Sequence, residues 1–149
     1  MDVLTVSRFN CHGLKTATNF IDKLCMSSHI IALQETWLYN NELDLVKNIN
    51  AEFTGFSISS IRDDMEIQRG RPFGGLSFMW HKSLSSRINL VSFDDDRILG
   101  LSYKCNMGSI LFINVYLPTN NAGNVDMYLD YMGKITSIFE ESQWQNFAY

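Results

Sequence analysis

An α/β domain is what this sequence predicts, on three observations. Ile30-Ile31-Ala32-Leu33 is an apolar run of strand length that leads directly into Gln34-Glu35-Thr36-Trp37. Upstream, residues 3–9 place Val3, Leu4, Val6 and Phe9 in strand-like alternation, and Ala17, Phe20, Ile21 and Leu24 then share one helical face. A strand, a helix of about ten residues and a second strand in succession give layered α/β packing. Finally, Tyr128, Met132, Ile135 and Phe139 recur at helical spacing and predict a helix over residues 125–141.

The remaining elements follow from local chemistry. Asn10-Cys11-His12-Gly13 ends the first strand in a turn, and Thr16 or Thr18 is the expected cap of the helix behind it. Ser27-Ser28 break that helix, and the second strand covers residues 29–33. Asn40-Asn41 start a short helix through Leu43, Leu45 and Val46. Phe53, Phe56, Ile58 and Ile61 mark a strand region, and residues 61–71 are polar and charged, as expected of a loop. Residues 74–80 and 87–93 read as strands. Residues 97–105 and 109–117 read as a hairpin joined at Asn106-Met107-Gly108, where Asn and Gly suit a tight turn. Pro118 stops the last strand, and residues 120–124 are loop.

With 149 residues the expectation is one domain. A hydrophobic fraction of 46% supplies a core, and a net charge of −4 argues against gripping nucleic acid by bulk electrostatics. That charge is compatible with an enzyme that cuts nucleic acid, because a metal pocket is itself carboxylate-rich. No apolar run reaches the roughly 18 residues of a membrane span, so no membrane partner is expected. Met1-Asp2-Val3-Leu4 does not open a signal peptide. Cys11, Cys25 and Cys105 fit neither a disulfide framework nor a zinc site, and reduced thiols inside a cell are expected.

Polar residues at strand ends are the candidates for chemistry, because sites in α/β sheets gather there. Asn10, Glu35 and Asn114-Val115-Tyr116-Leu117-Pro118-Thr119-Asn120 are so placed. A carboxylate at the end of a rigid strand can hold a hard cation such as Mg²⁺, which takes oxygen ligands and keeps several waters. An amide can bond a phosphate oxygen or orient a carboxylate, and a tyrosine hydroxyl can donate to developing negative charge. Together they suit metal-assisted attack on a phosphodiester. Each also has a plainer alternative: Glu35 capping the next turn, Asn10 forming a turn, Tyr116 packing in the core. His29 and His81 read as structural and solvated, Asp94-Asp95-Asp96 as a solvated turn, and Phe73 and Trp80 as core.

Four segments, in order, resemble the endonuclease/exonuclease/phosphatase superfamily, and within it the endonuclease domains of LINE-type (non-LTR) retrotransposons. Asn10-Cys11-His12-Gly13-Leu14 resembles its Asn-x-x-Gly-Leu motif, and Ile31-Ala32-Leu33-Gln34-Glu35-Thr36-Trp37 its metal-Glu motif. Gly70-Arg71-Pro72-Phe73-Gly74-Gly75-Leu76 resembles its Gly-Arg-x-x-Gly-Gly segment, and Ile113-Asn114-Val115-Tyr116-Leu117-Pro118 its Asn-x-Tyr-x-Pro strand. The resemblance implies a two-sheet β-sandwich flanked by helices and Mg²⁺-dependent hydrolysis of phosphate esters, with Mn²⁺ as an alternative ion. It implies that Glu35 binds metal, Asn10 helps bind metal and phosphate, and Tyr116 stabilises the transition state. It also implies that Arg71 touches a backbone phosphate, that Asn120 lines the nucleic-acid groove, and that DNA is the partner.

The same resemblance marks a departure. The family's later Gly-Asp-x-Asn segment and Asp-His pair do not occur in the sequence. The expectation is therefore residues 1–149 as an incomplete domain, an amino-terminal portion inactive alone, since loss of part of a catalytic unit can cost as much as loss of the whole. Two alternatives stand beside it. One is a non-catalytic binding module that self-associates or meets a completing partner. The other is a phosphatase-type member acting on a phosphoinositide or sphingolipid phosphodiester. A genomic DNA substrate would imply the nucleus.

Overall fold

The computed structural model describes residues 3–61 and 73–146. Two sheets make the framework. The first has strand order β1-β2-β4-β3, from β1 (Val6–Asn10), β2 (Ile30–Gln34), β3 (Phe53–Ile58) and β4 (Leu76–His81). The second has order β5-β6-β7, from β5 (Ile88–Ser92), β6 (Ile98–Cys105) and β7 (Gly108–Val115). Helix α1 (Leu14–Cys25) crosses from β1 to β2, which pair in parallel; the other strand pairs among the described residues are antiparallel. A crossover helix is what a parallel neighbour requires. Helix α2 (Val125–Asn146) follows β7, and 3-10 segments cover Asn40–Asn48 and Lys82–Arg87.

The unbroken apolar run in β2 is explained by two cores, one on each face. Ile31 and Leu33 join Leu14, Ile21, Leu38, Val46, Phe53 and Met79 beneath α1 and the first 3-10 segment. Ile30 and Ala32 point the other way, to Phe78, Trp80, Leu99, Leu101 and Tyr103 between the sheets. A strand covered on both faces loses alternation in its sequence. Each fully buried Ile or Leu contributes about 1.5–3 kcal/mol relative to exposure.

The predicted elements are present with three differences. Neither Thr16 nor Thr18 caps α1. The helix begins at Leu14 behind Gly13, and the Gly13 and Leu14 N–H groups donate instead to the Glu35 and Thr36 carbonyls at 2.9 Å each. A backbone partner from β2's exit thus does the work of a side-chain cap. Phe20 is half exposed, its ring tilted against Phe9 at 4.5 Å. Helix α2 covers Tyr128 and Ile135 of the predicted face, but Tyr131 and Ile138 take the places of Met132 and Phe139, which are exposed. Asp95, expected in a solvated turn, is the reason. Its carboxylate accepts from Tyr131 Oη at 3.1 Å and Lys134 Nζ at 2.8 Å, which sets the rotation of α2. The hairpin turn is as expected, with Cys105 opposite Gly108 and φ +131° at that glycine. The expected loop over residues 61–71 falls almost wholly outside the described residues.

Buried Asn114 (2% exposed) joins the two sheets near the exit of β2. Its Nδ2 donates to the Leu33 carbonyl at 2.9 Å and the Ser77 carbonyl at 3.0 Å, and its Oδ1 accepts from Gln34 Nε2. A buried amide satisfied this fully fixes geometry without leaving an orphan. Among the described residues no helix is long and apolar enough to cross a membrane.

Candidate active site

Glu35 leaves β2 in a left-handed conformation, φ +53°, and two glycine segments hold it there. On one side Gly13 N–H donates to the Glu35 carbonyl. On the other, the Gly75 and Gly74 carbonyls accept from Thr36 N–H at 3.3 Å and Trp37 N–H at 3.1 Å. Gly74 and Gly75 adopt φ +63° and +84°, a region that L side chains disfavour. A Cβ on Gly75 would meet Thr36 Oγ1 at 2.5 Å, and one on Gly74 would meet Ser60 Oγ at 2.7 Å. The Gly-Gly pair thus lets two loops touch, and the contact aims Glu35. Ser60 Oγ completes the clamp, accepting from Gly75 N–H at 3.0 Å and donating to the Asp96 carbonyl at 3.1 Å.

The parallel register sets Asn10 opposite Gln34, so the residues just past the two strand ends converge. Asn10 Nδ2 donates to Glu35 Oε1 at 2.8 Å. His12 Nδ1 lies 3.2 Å from Glu35 Oε2, and His12 N–H donates to Asn10 Oδ1 at 3.3 Å. The Glu35 side chain is 16% exposed and that of His12 is 70% exposed. Cys11 lies beneath. Burial first, and then the Glu35 charge, push its thiol up to about 12. Beside Glu35, Thr36 Oγ1 and Trp37 Nε1 are buried without a hydrogen-bond partner among the described residues.

Tyr116 follows β7 and is half buried. Burial first, then the Glu35 charge, raise its phenol above its ordinary value, and the Arg97 charge partly opposes them. The hydroxyl therefore keeps its proton, as a hydrogen-bond donor must. Arg97 positions this residue: its Nη1 donates to the Tyr116 carbonyl at 3.1 Å, its carbonyl accepts from Tyr116 N–H at 3.0 Å, and its guanidinium lies 5.4 Å from the ring centroid.

Of the residues singled out in the sequence, Asn10 and Glu35 are in contact, and Tyr116 is near enough to feel the Glu35 charge. Asn120 is exposed on the loop before α2 and makes no hydrogen bond to that group among the described residues. Arg71 lies outside the described residues. His12 and Arg97 were missed. His12 was legible in principle, because a parallel pair that ends at Asn10 and Gln34 brings the next few residues of both strands together. Arg97 carried no local signal; its partners lie 19 and 34 positions away.

One carboxylate with a neighbouring amide is a hard-oxygen donor set of the kind Mg²⁺ accepts, with water and phosphate filling the other positions. Among the described residues no group of three His, Cys, Asp or Glu side chains could hold a metal by itself. The residues present fit an ion with most of its coordination shell left open, not an ion caged by protein.

No protein-family model matches the chain, and no curated protein matches its sequence. Solved structures do match. The endonuclease domain of TRAS1, a telomere-specific non-LTR retrotransposon, superposes with a TM-score of 0.55 at 12% identity. The alignment covers 92% of this chain and 54% of that one, so the chain spans about half the length of this neighbour. The human Nocturnin catalytic domain, with bound sulfate, matches at a TM-score of 0.47 and 14% identity, over 90% of this chain and 59% of that one.

Proposed function

From a chain with the endonuclease/exonuclease/phosphatase-type fold, a mixed α/β two-sheet arrangement flanked by helices, we propose the amino-terminal portion of a Mg²⁺-dependent DNA endonuclease of the retrotransposon type. The observation that carries this reading is the Glu35 carboxylate, aimed by two glycine segments and bonded by Asn10 within range of Tyr116.

Glu35 and Asn10 would hold the ion. When bound, it would supply Lewis-acid stabilisation of a phosphodiester oxygen. Asn10 fixes the carboxylate by donating to one oxygen, which leaves its own Oδ1 facing the His12 loop. Tyr116 keeps its phenolic proton and donates it as a hydrogen bond toward the charge that builds on phosphate. The chain has no Gly-Asp-x-Asn segment and no Asp-His pair to orient or activate a nucleophile. The 149-residue chain alone is thus a metal- and phosphate-binding half-site with little or no turnover.

The test pairs binding with cleavage. Purified chain should bind Mn²⁺, read by loss of the free-ion paramagnetic resonance signal, and Glu35→Gln should abolish that binding. Supercoiled plasmid with Mg²⁺ should stay intact with either protein. Binding that survives Glu35→Gln removes the metal role of Glu35. Robust nicking that disappears in the variant would overturn the inactive-alone reading.

A further inference from the structure

We propose that His12 is a latch on Glu35: it occupies the carboxylate oxygen that an incoming cation needs and swings away when the cation binds. This rests on the metal role of Glu35 proposed above. Both Glu35 oxygens have partners, but the two partners differ in kind. Asn10 belongs to a strand paired residue by residue with β2, so its amide stays in place. His12 lies beyond that strand, in a left-handed conformation with φ +47°, next to Gly13 at φ +101°. Its side chain is the most open part of the cluster, at 70% exposed. In that same position the imidazole stands edge-on to the Trp37 ring, with centroids 6.0 Å apart.

The consequence is competition. Nδ1 lies 3.2 Å from Oε2, so His12 and a cation drawn to that oxygen would compete for it. A charge contact with an exposed group is weak, so the latch tunes affinity without closing the site. His12 is a positioning residue: it acts through Glu35 and keeps the carboxylate ordered while no cation is present.

Mn²⁺ titration of His12→Ala tests this. The variant should bind about threefold more tightly than the parent, the size of a surface pair removed. His12→Gly, which suits the left-handed backbone better, should do the same, so a change in loop strain cannot mimic the result. Imidazole ¹⁵N resonances give a second readout. The His12 Nδ1 signal should move on Mn²⁺-free titration with Mg²⁺, and should already be displaced in Glu35→Gln. Weaker binding in both variants would make His12 a ligand and overturn the proposal, as would unchanged binding. Those failures are distinct from failure of the metal reading, in which Glu35→Gln leaves binding intact.

Discussion

Gly75 is the residue on which the site's geometry turns. Its φ of +84° and the Thr36 hydroxyl 2.5 Å from any added Cβ give a side chain no unstrained solution. Gly75→Ala should destabilise the chain by about 2–4 kcal/mol, from left-handed strain plus displacement of a packed loop. A urea midpoint that does not fall would refute this. Gly133 is the control, because nothing lies within 4 Å of an added Cβ inside α2. There Gly133→Ala should raise the midpoint, by about 1 kcal/mol of helix propensity. The sequence made Glu35 and Asn10 visible because their residue types suit hard cations and their strands could be recognised. It placed Gly74-Gly75 in a recognisable segment at the start of a strand but gave no reason for the glycines, because the contact that requires them joins positions about forty apart in the chain.

At the scale of elements, short-range pattern carried the prediction well wherever burial is symmetric. β2 was legible from Ile30 to Leu33 because both of its faces are covered. Helix α2 was legible as a helix but not in its orientation. Apolar residues lie all around it, and Val125, Met127, Leu129 and Phe139 remain exposed, so periodicity alone could not choose a face. The choice is made by Asp95 through Tyr131 and Lys134. Burial acts to raise the Asp95 carboxyl, but hydrogen bonds from Lys134, the Arg97 N–H and Tyr131 outweigh it and hold it below its ordinary value. A depressed carboxyl contributes stability that is present above its unfolded value, near 3.9, and is lost as pH falls through the folded one. Acidification below about pH 4 should therefore loosen α2 from the β5–β6 turn. The Tyr131 ring resonances should shift toward random-coil positions over that range, and Asp95→Asn should show the shifted positions already at neutral pH. A Tyr131 spectrum insensitive to both would mean that something other than this carboxylate orients the helix.

For the whole molecule, the two cores differ in completeness. The core beneath α1 is enclosed by helix and sheet, whereas β1 and β3 end the first sheet and β5 and β7 end the second with unpaired edges among the described residues. Val6 and Arg8, on the inter-sheet face of β1, are exposed, and β7 packs chiefly over β2 and β4. Whether cooperative folding is nonetheless attained can be read from the thiols. Cys11 sits under Glu35 and is pushed to about 12 by burial and that charge; Cys25, the last residue of α1, is pushed to about 11, mainly by burial. Cys105 is half buried. A thiol reagent at pH 8 should modify Cys105 first. Cys11 and Cys25 should then react together, at a rate set by opening of the α1 core. If Cys11 reacts as fast as Cys105, the core does not form. The buried pair is thus a native clock: it times how often the floor beneath Glu35 comes apart, with no denaturant and no substrate added.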